Sequence, residues 1–237
     1  MVLRLLSSPS AEMPAPRRRP LRRLLIWVRW LGLRFAALMA GLVLFYGVIN
    51  PPTTWTIVKE SAVPRSWVAI EDIAPVVLRS VVAAEDANFC WHWGFDMAEI
   101  RKAVASGSPR GASTLTQQTA KNVFLWQGRN WIRKALETGF TPLIEALWSK
   151  RRILEVYLNV AEFGPGIFGI EAAAREHFGT TPDRLTPVQA ARLAAILPAP
   201  KTRRADRSSA RSRAIADGAA TIARDGRAEC LQPWGAG

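Results

Sequence analysis

Cysteine and histidine are scarce in this chain: its 237 residues contain two of each. Two cysteines, Cys90 and Cys230, cannot build a disulfide framework or a thiolate-rich metal centre, although one bridge between them stays open. Two histidines leave little from which to make a zinc enzyme. Acidic residues are also in deficit, 19 against 32 Lys and Arg, for a formal net charge of +13. That surplus lies in two flanking segments. Residues 1–34 hold eight arginines and one glutamate, and residues 201–213 hold six basic residues against Asp206, leaving about +1 for the rest. A nucleic-acid binder carries its positive charge on the folded body, so that class is disfavoured and no nucleic-acid partner is expected. Alternating apolar and polar stretches are scarce as well. Only "WTIV" (55–58) and "WVAI" (67–70) are weak strand candidates, which leaves a mainly α fold. No internal repeat is evident.

What is present argues for a folded body with an appendage. Nearly half the residues, 49%, are hydrophobic, and there are ten tryptophans. The basic stretch "RRRPLRR" (17–23) precedes "LLIWVRWLGLRFAALMAGLVLFYGVI" (24–49), apolar apart from Arg29 and Arg34. From Trp30 this run has the length a bilayer core requires, with Arg34 able to snorkel toward headgroups. No small-residue cleavage site is evident, so a retained signal anchor is expected rather than a cleaved signal peptide. Arginines ahead of the span place that end in the cytoplasm and the body on the far side.

Beyond it the pattern is helical almost throughout. Residues 50–74 read as irregular, with prolines at 51, 52 and 64. Pro75 suits the first turn of a helix running to about Ala87. Further helices are expected over 96–106, 113–125 and 130–140, the last interrupted near Gly139 and Pro142. One or two more are expected within 143–163, then "IEAAAREHF" and 186–197. Thr186, Pro187 and Gln189 stand there in capping-box order.

Three stretches carry candidate chemistry. "VVAAEDANFCWHWGFD" (81–96) runs from small apolar residues into Glu85 and Asp86, followed by His92 and Asp96. Burial at the end of an apolar helix would raise the pKa of Glu85 and suit it to proton transfer, although an ordinary helix-end acid would look similar. "RGASTLTQQTAKN" (110–122) sets hydroxyls, two amides and Lys121 at a helix start, which suits an anionic or sugar ligand or a solvated polar face. The third is "RKALE" (133–137) with "SKRRILEVYLNVAEFG" (149–164), where Glu155 and Glu162, seven apart, share one face of a helix. Separated carboxylates with several cations fit chemistry at an anomeric carbon with a phosphate leaving group, or anion binding.

In sequence order, "EDANFCWHWGFD", "RGASTLTQQTAKN", "RKALE", "SKRRILEVYLN" and "FGPGIFGIEAAA" resemble the signatures of the glycosyltransferase domain that polymerises peptidoglycan. The resemblance spans about 65–200. Wording such as "HWGFD", "KNVFLW" and "AEFGPGIFG", and a chain ending soon after the domain, fit the monofunctional biosynthetic branch. It implies a lysozyme-like, two-lobed fold with a helical head and an apolar jaw, for which "NVFLW", Trp126 and Trp131 are suited. It also implies a basic cytoplasmic N-terminus (1–23), an anchor (24–49), a connector (50–64), the glycosyltransferase domain (65–200) and a basic segment with a helical tail (201–237).

The implied substrate is lipid II, added to a growing glycan chain at the periplasmic side of the inner membrane. By the motif match Glu85 is the general base and Glu155 the second glutamate, with "ILEVYLN" favouring it over Glu162. Lys121 and Arg133 stand near the diphosphate, and Arg110, Gln117 and Gln118 at the donor cleft. Ser113 and Thr114 build the helix start. Asp86, Phe89, His92 and Gly94 shape the Glu85 loop. No cofactor is required. A divalent cation such as magnesium at the diphosphate, and other wall-synthesis or division proteins as partners, stay open. A lytic transglycosylase and a non-catalytic membrane scaffold are the rival classes.

Overall fold

The computed structural model describes residues 19–107, 113–128 and 130–232, with side chains from 22 onward. Helix α1 (Arg19–Val48) carries the apolar run; within it, the 27 residues Arg22–Val48 are long and apolar enough to cross a membrane. Arg34 lays its guanidinium 3.3 Å over the ring of Trp30, a cation–π contact that shelters the charge within the apolar helix. The described residues up to 40 form one compact unit and those from 41 onward a second.

That second unit is helical, and among the described residues it has no strand beyond one isolated bridge, Glu162 with Phe168. Its helices are α2 (Trp55–Glu60), α3 (Pro75–Glu85), α4 (Met97–Ala105), α5 (Leu115–Phe124), α6 (Trp131–Leu147), α7 (Lys150–Val160), α8 (Ile170–Phe178), α9 (Pro187–Ile196) and α10 (Ala210–Asp225). The mainly α expectation holds. The strand candidate "WTIV" is instead the start of α2, because Thr54 caps it through a hydroxyl that accepts from the Ile57 amide.

Helix α6 also departs from expectation, running unbroken through Gly139 and Pro142. Proline removes one amide donor from the ladder. Tertiary packing compensates: Phe140 and Ile144 are buried, and Phe140 stacks on Phe124 of α5 with centroids 4.5 Å apart. The true break comes at Trp148 and Ser149, where the Ser149 hydroxyl accepts from the Arg152 amide and starts α7.

Helix α7 is central. Ile153, Leu154 and every residue from Val156 to Val160 are buried, so it is covered on almost all sides. Helix α5 packs on both α6 and α7, while α3, α9 and α10 pack on one another. Arg152 of α7 donates to the Tyr46 carbonyl of α1 and to the Ile49 carbonyl just past its end, at 2.9 and 3.1 Å. Trp148 donates to the Val43 carbonyl at 2.7 Å.

The carboxy-terminal segment differs most from expectation. Rather than trailing the domain as a tail, α10 buries Ile215, Ala219 and Ile222, and Cys230 forms a disulfide with Cys90, Cα atoms 5.6 Å apart. The bridge spans 140 positions and ties the end of the chain to the loop just past Glu85. A cross-link closing so long a loop chiefly restricts the unfolded chain. Replacing both cysteines by serine is expected to destabilise the folded protein by about 2–4 kcal/mol. Thermal melting of that variant against wild type checks this, and an unchanged transition contradicts it.

Candidate active site

Glu85 is the last residue of α3, and its side chain is only 10% exposed. Its Oε2 accepts from the Gln118 amide at 3.0 Å, and Tyr157 in turn donates its hydroxyl to Gln118 Oε1 at 3.2 Å. Tyr157 thereby fixes which end of the Gln118 amide faces the carboxylate. Burial pushes the Glu85 carboxyl above its ordinary range, against the Gln118 hydrogen bond and the charges of Arg211, Lys121 and Arg203. Desolvation wins, as the apolar helix implied. Tyr157 is fully buried, and burial together with the nearby Glu85 charge holds its hydroxyl well above the usual phenol range.

The loop after Glu85 is built by the residues expected to shape it. Asp86 Oδ1 meets His92 Nε2 at 2.8 Å, while its Oδ2 accepts from the Leu115 amide at the start of α5. Phe89 is fully buried, with Lys150 Nζ 4.5 Å from its ring centroid. Thr114, rather than Ser113, caps α5: its hydroxyl accepts from the Gln117 amide and donates to the Gly94 carbonyl at 2.7 Å. Gly94 is obligatory there. Its φ is +82°, and a Cβ would lie 2.6 Å from Thr141 Cγ2. Ser113 lines a recess of about 250 Å³ that also touches Glu85, Asp86 and Glu99.

The two glutamines of "TQQ" divide. Gln117 is buried and spends its Oε1 on the Thr114 amide as the capping-box partner, so it serves the helix start rather than the cleft. Gln118 faces a cavity of about 410 Å³, lined also by Lys121, Asn122, Gln127, Tyr157 and Glu162. Arg110 lies outside the described residues.

Lys121, Arg133 and Lys134 gather around Glu137, a buried acid at the end of "RKALE". Arg133 Nη1 lies 2.8 Å from Glu137 Oε2, its Nε donates to the Gly128 carbonyl, and Lys134 pairs with Glu137 Oε1. Lys121 has no salt-bridge partner among the described residues. Burial lowers its pKa first, with the charges of Glu137 and Glu85 opposing that shift and those of Arg133 and Lys134 adding to it.

Glu155 goes elsewhere. It accepts from the Trp67 indole at 3.0 Å and pairs with Arg152 at 3.3 Å, on the part of α7 that holds the chain before α3. The contacts that join Arg133 to a carboxylate are made by Glu137, not by Glu155. Nor do Glu155 and Glu162 share a helix face: α7 stops at Val160, and extended backbone at Ala161 carries Glu162 into its bridge with Phe168. Glu162 accepts from the Gly166 amide at 3.2 Å, and burial raises its pKa. Glu137 stands in a quoted motif, and its (i, i+4) spacing from Arg133 and (i, i+3) spacing from Lys134 were the available signals.

Asp86, His92 and Asp96 bring three ligand-capable atoms within 4.8 Å of one another. Both Asp86 oxygens are already engaged. Asp96 caps α4 by accepting from the Ala98 and Glu99 amides and also accepts from Asn88. A cation there would compete with these bonds. Around Lys121 the acid Glu137 is already shared by two cationic side chains. The donor set therefore fits a divalent ion poorly.

A family profile described as "Transglycosylase" matches residues 53–222, a span that takes in α2 and most of α10. A protein of Jannaschia sp. named biosynthetic peptidoglycan transglycosylase is 56% identical over 203 residues, covering 82% of this chain and 85% of its own. Proteins of the same name from Pseudomonas entomophila and Xanthomonas campestris pv. campestris are each 48% identical. They cover 81% and 76% of this chain, and 84% and 79% of their own. With a profile matching well over half its length and relatives this similar across most of it, the chain belongs to the transglycosylase family.

Proposed function

We propose that this chain is a peptidoglycan glycosyltransferase that polymerises lipid II into glycan strands during cell-wall biogenesis. One observation carries the reading: a buried carboxylate, held by a single amide, lines an open recess within reach of the charge of Lys121, one of three cations gathered about Glu137. Glu85 takes the proton of the acceptor sugar's 4-hydroxyl. The freed oxygen attacks the donor's anomeric carbon, and the bond to the polyprenyl diphosphate breaks with inversion. The electron pair leaves on the diphosphate, whose charge Lys121 and Arg133 balance. Glu137 orients Arg133 and keeps the cations from spreading apart. Helix α1 anchors the chain, and the arginine excess ahead of it sets the catalytic domain on the periplasmic side of the inner membrane.

Glu85→Gln keeps the shape and the Gln118 contact but removes the base. Polymerisation of lipid II by the purified variant is expected to fall about 10²–10⁴-fold. The same assay separates the rival classes, since a lytic enzyme cleaves glycan without making polymer and a scaffold does neither. Stability should move the other way. A carboxyl with a raised folded-state pKa stabilises the fold below its unfolded pKa and loses that contribution as pH rises through the folded value. The amide escapes that loss, so the variant should melt at or above wild type in alkaline buffer, with the gap closing as pH falls. A variant that is destabilised at every pH contradicts the placement of Glu85.

Glu137 and Glu155 should separate by what each holds. Glu137→Gln leaves Arg133 and Lys134 without their charged partner and is expected to lower turnover strongly. Glu155→Gln loosens Trp67 and Arg152 and is expected to cost stability, about 0.5–3 kcal/mol, with turnover largely kept. Turnover and melting of both variants decide it. An inactive, normally melting Glu155→Gln beside an active Glu137→Gln reverses the assignment. A reporter fused after Gly237 should be active only outside the cytoplasm; activity confined to the cytoplasm refutes the orientation.

A further inference from the structure

Glu85 Oε1 is buried, yet it has no hydrogen-bond donor among the described residues. The cation beside it comes from the carboxy-terminal helix. Arg211, in the first turn of α10, places Nη2 at 3.7 Å from this oxygen, beyond hydrogen-bond range, and donates instead to the Ala84 carbonyl at 3.2 Å. That carbonyl is one of the last of α3, which lack helical partners. Helix α10 runs tightly along α3, so that a Cβ on Gly218 would sit 3.4 Å from Ala83 Cβ. The Cys90–Cys230 bridge then clamps the segment after α10 to the far side of the Glu85 loop.

Each element around Glu85 contributes a distinct group. Helix α5 supplies Gln118 and Lys121, α7 supplies Tyr157, and the segment after α9 supplies Arg203, whose guanidinium donates to the Ala195 carbonyl. Asp86 and Glu99 are the acids lining the adjoining recess. Among the described residues, Arg211 is the cation within salt-bridge range of the carboxylate.

We propose that Arg211 is a positioning residue for the Glu85 base. Anchored on the Ala84 carbonyl, it holds a positive charge beside Oε1 without donating to it. The carboxylate is thereby favoured in its ionised form, while Oε1 stays free to accept a substrate proton. A direct bond would favour ionisation further but would occupy the accepting oxygen. The standoff gives one effect without the other, and it makes α10 a wall of the active site. This rests on the glycosyl-transfer reading above.

The test is lipid II polymerisation by the full chain in detergent, followed from about pH 5 to 9 for wild type, Glu85→Gln, Arg211→Gln, Arg211→Met and Arg211→Lys. Removing the charge should shift the acid limb of the profile to higher pH. Because the Arg211 side chain is 41% exposed, solvent screens it, and the loss at the acidic end should be about threefold or somewhat more. The alkaline plateau should be retained, and lysine should restore most of the limb. Methionine keeps the aliphatic stem packed and repeats the neutral test if glutamine disturbs folding. An unmoved limb in both neutral variants overturns the proposal. So does a uniform fall at every pH, the mark of a merely structural cap on α3. A raised KM with an unmoved limb also overturns it, in favour of substrate contact. Wild type that makes no polymer sinks the functional reading itself. Polymerising wild type with inactive Glu85→Gln and a superimposable Arg211→Gln sinks this inference alone.

Discussion

Removing a carboxylate from water at the end of an apolar helix is the constraint around which this structure is arranged. A buried charge without compensation costs several kcal/mol and would simply be protonated. A direct ion pair would solve that problem and create another, because a carboxylate held by a guanidinium loses its appetite for a proton. The molecule takes a middle course. One oxygen of Glu85 receives a neutral amide donor, and cations stand off at longer range on three separate elements. Burial still prevails, so the group stays more basic than a surface glutamate.

Lys121 is perturbed in the opposite sense by the same cause. Burial lowers its pKa, and Glu85 and Glu137 partly restore it. An acid made more basic and a base made more acidic, each within reach of the other's charge, make up the pairing on which the proposed proton transfer and leaving-group stabilisation rest. Each is held by a hydrogen-bonded scaffold. The Thr114–Gln117 box, the Asp86–Leu115 bond and the Thr114–Gly94 bond lock the start of α5 to the loop after α3. Because α5 carries both Gln118 and Lys121, fixing its start also fixes where the Gln118 amide and the Lys121 charge stand relative to Glu85.

Much of this was legible in the residues. The apolar run into Glu85, the Pro75 start, the Thr186 capping box and the basic flank of the anchor are local signals, and local signals survive folding. What escaped was decided by distant partners. Pro142 looked like a stop because propensity is local, yet Phe140 and Ile144 bury the helix through it. Glu155 and Glu162 looked like one face because seven residues make two turns, but the helix ends between them. Glu137 stood in plain view as part of a motif, and only its burial between Arg133 and Lys134 distinguishes it from a surface acid.

The basic stretch 201–213 shows how a composition reading misleads when a segment is both polar and structural. Six cations against one acid over thirteen residues read as a basic flank beside a nearly neutral body. In the fold those cations divide by position. Arg203 reaches back to the Ala195 carbonyl in the last turn of α9, Arg204 pairs with Asp206, and Arg211 bonds the Ala84 carbonyl at the end of α3. Helices end in unpaired carbonyls, and arginine satisfies these while keeping its charge. Two of these arginines meet carbonyls and also lower the pKa of Glu85, so the segment's charge acts inward on the carboxylate rather than outward on a partner. The Glu85 environment is thus set by α3, α5, α7 and the carboxy-terminal segment together.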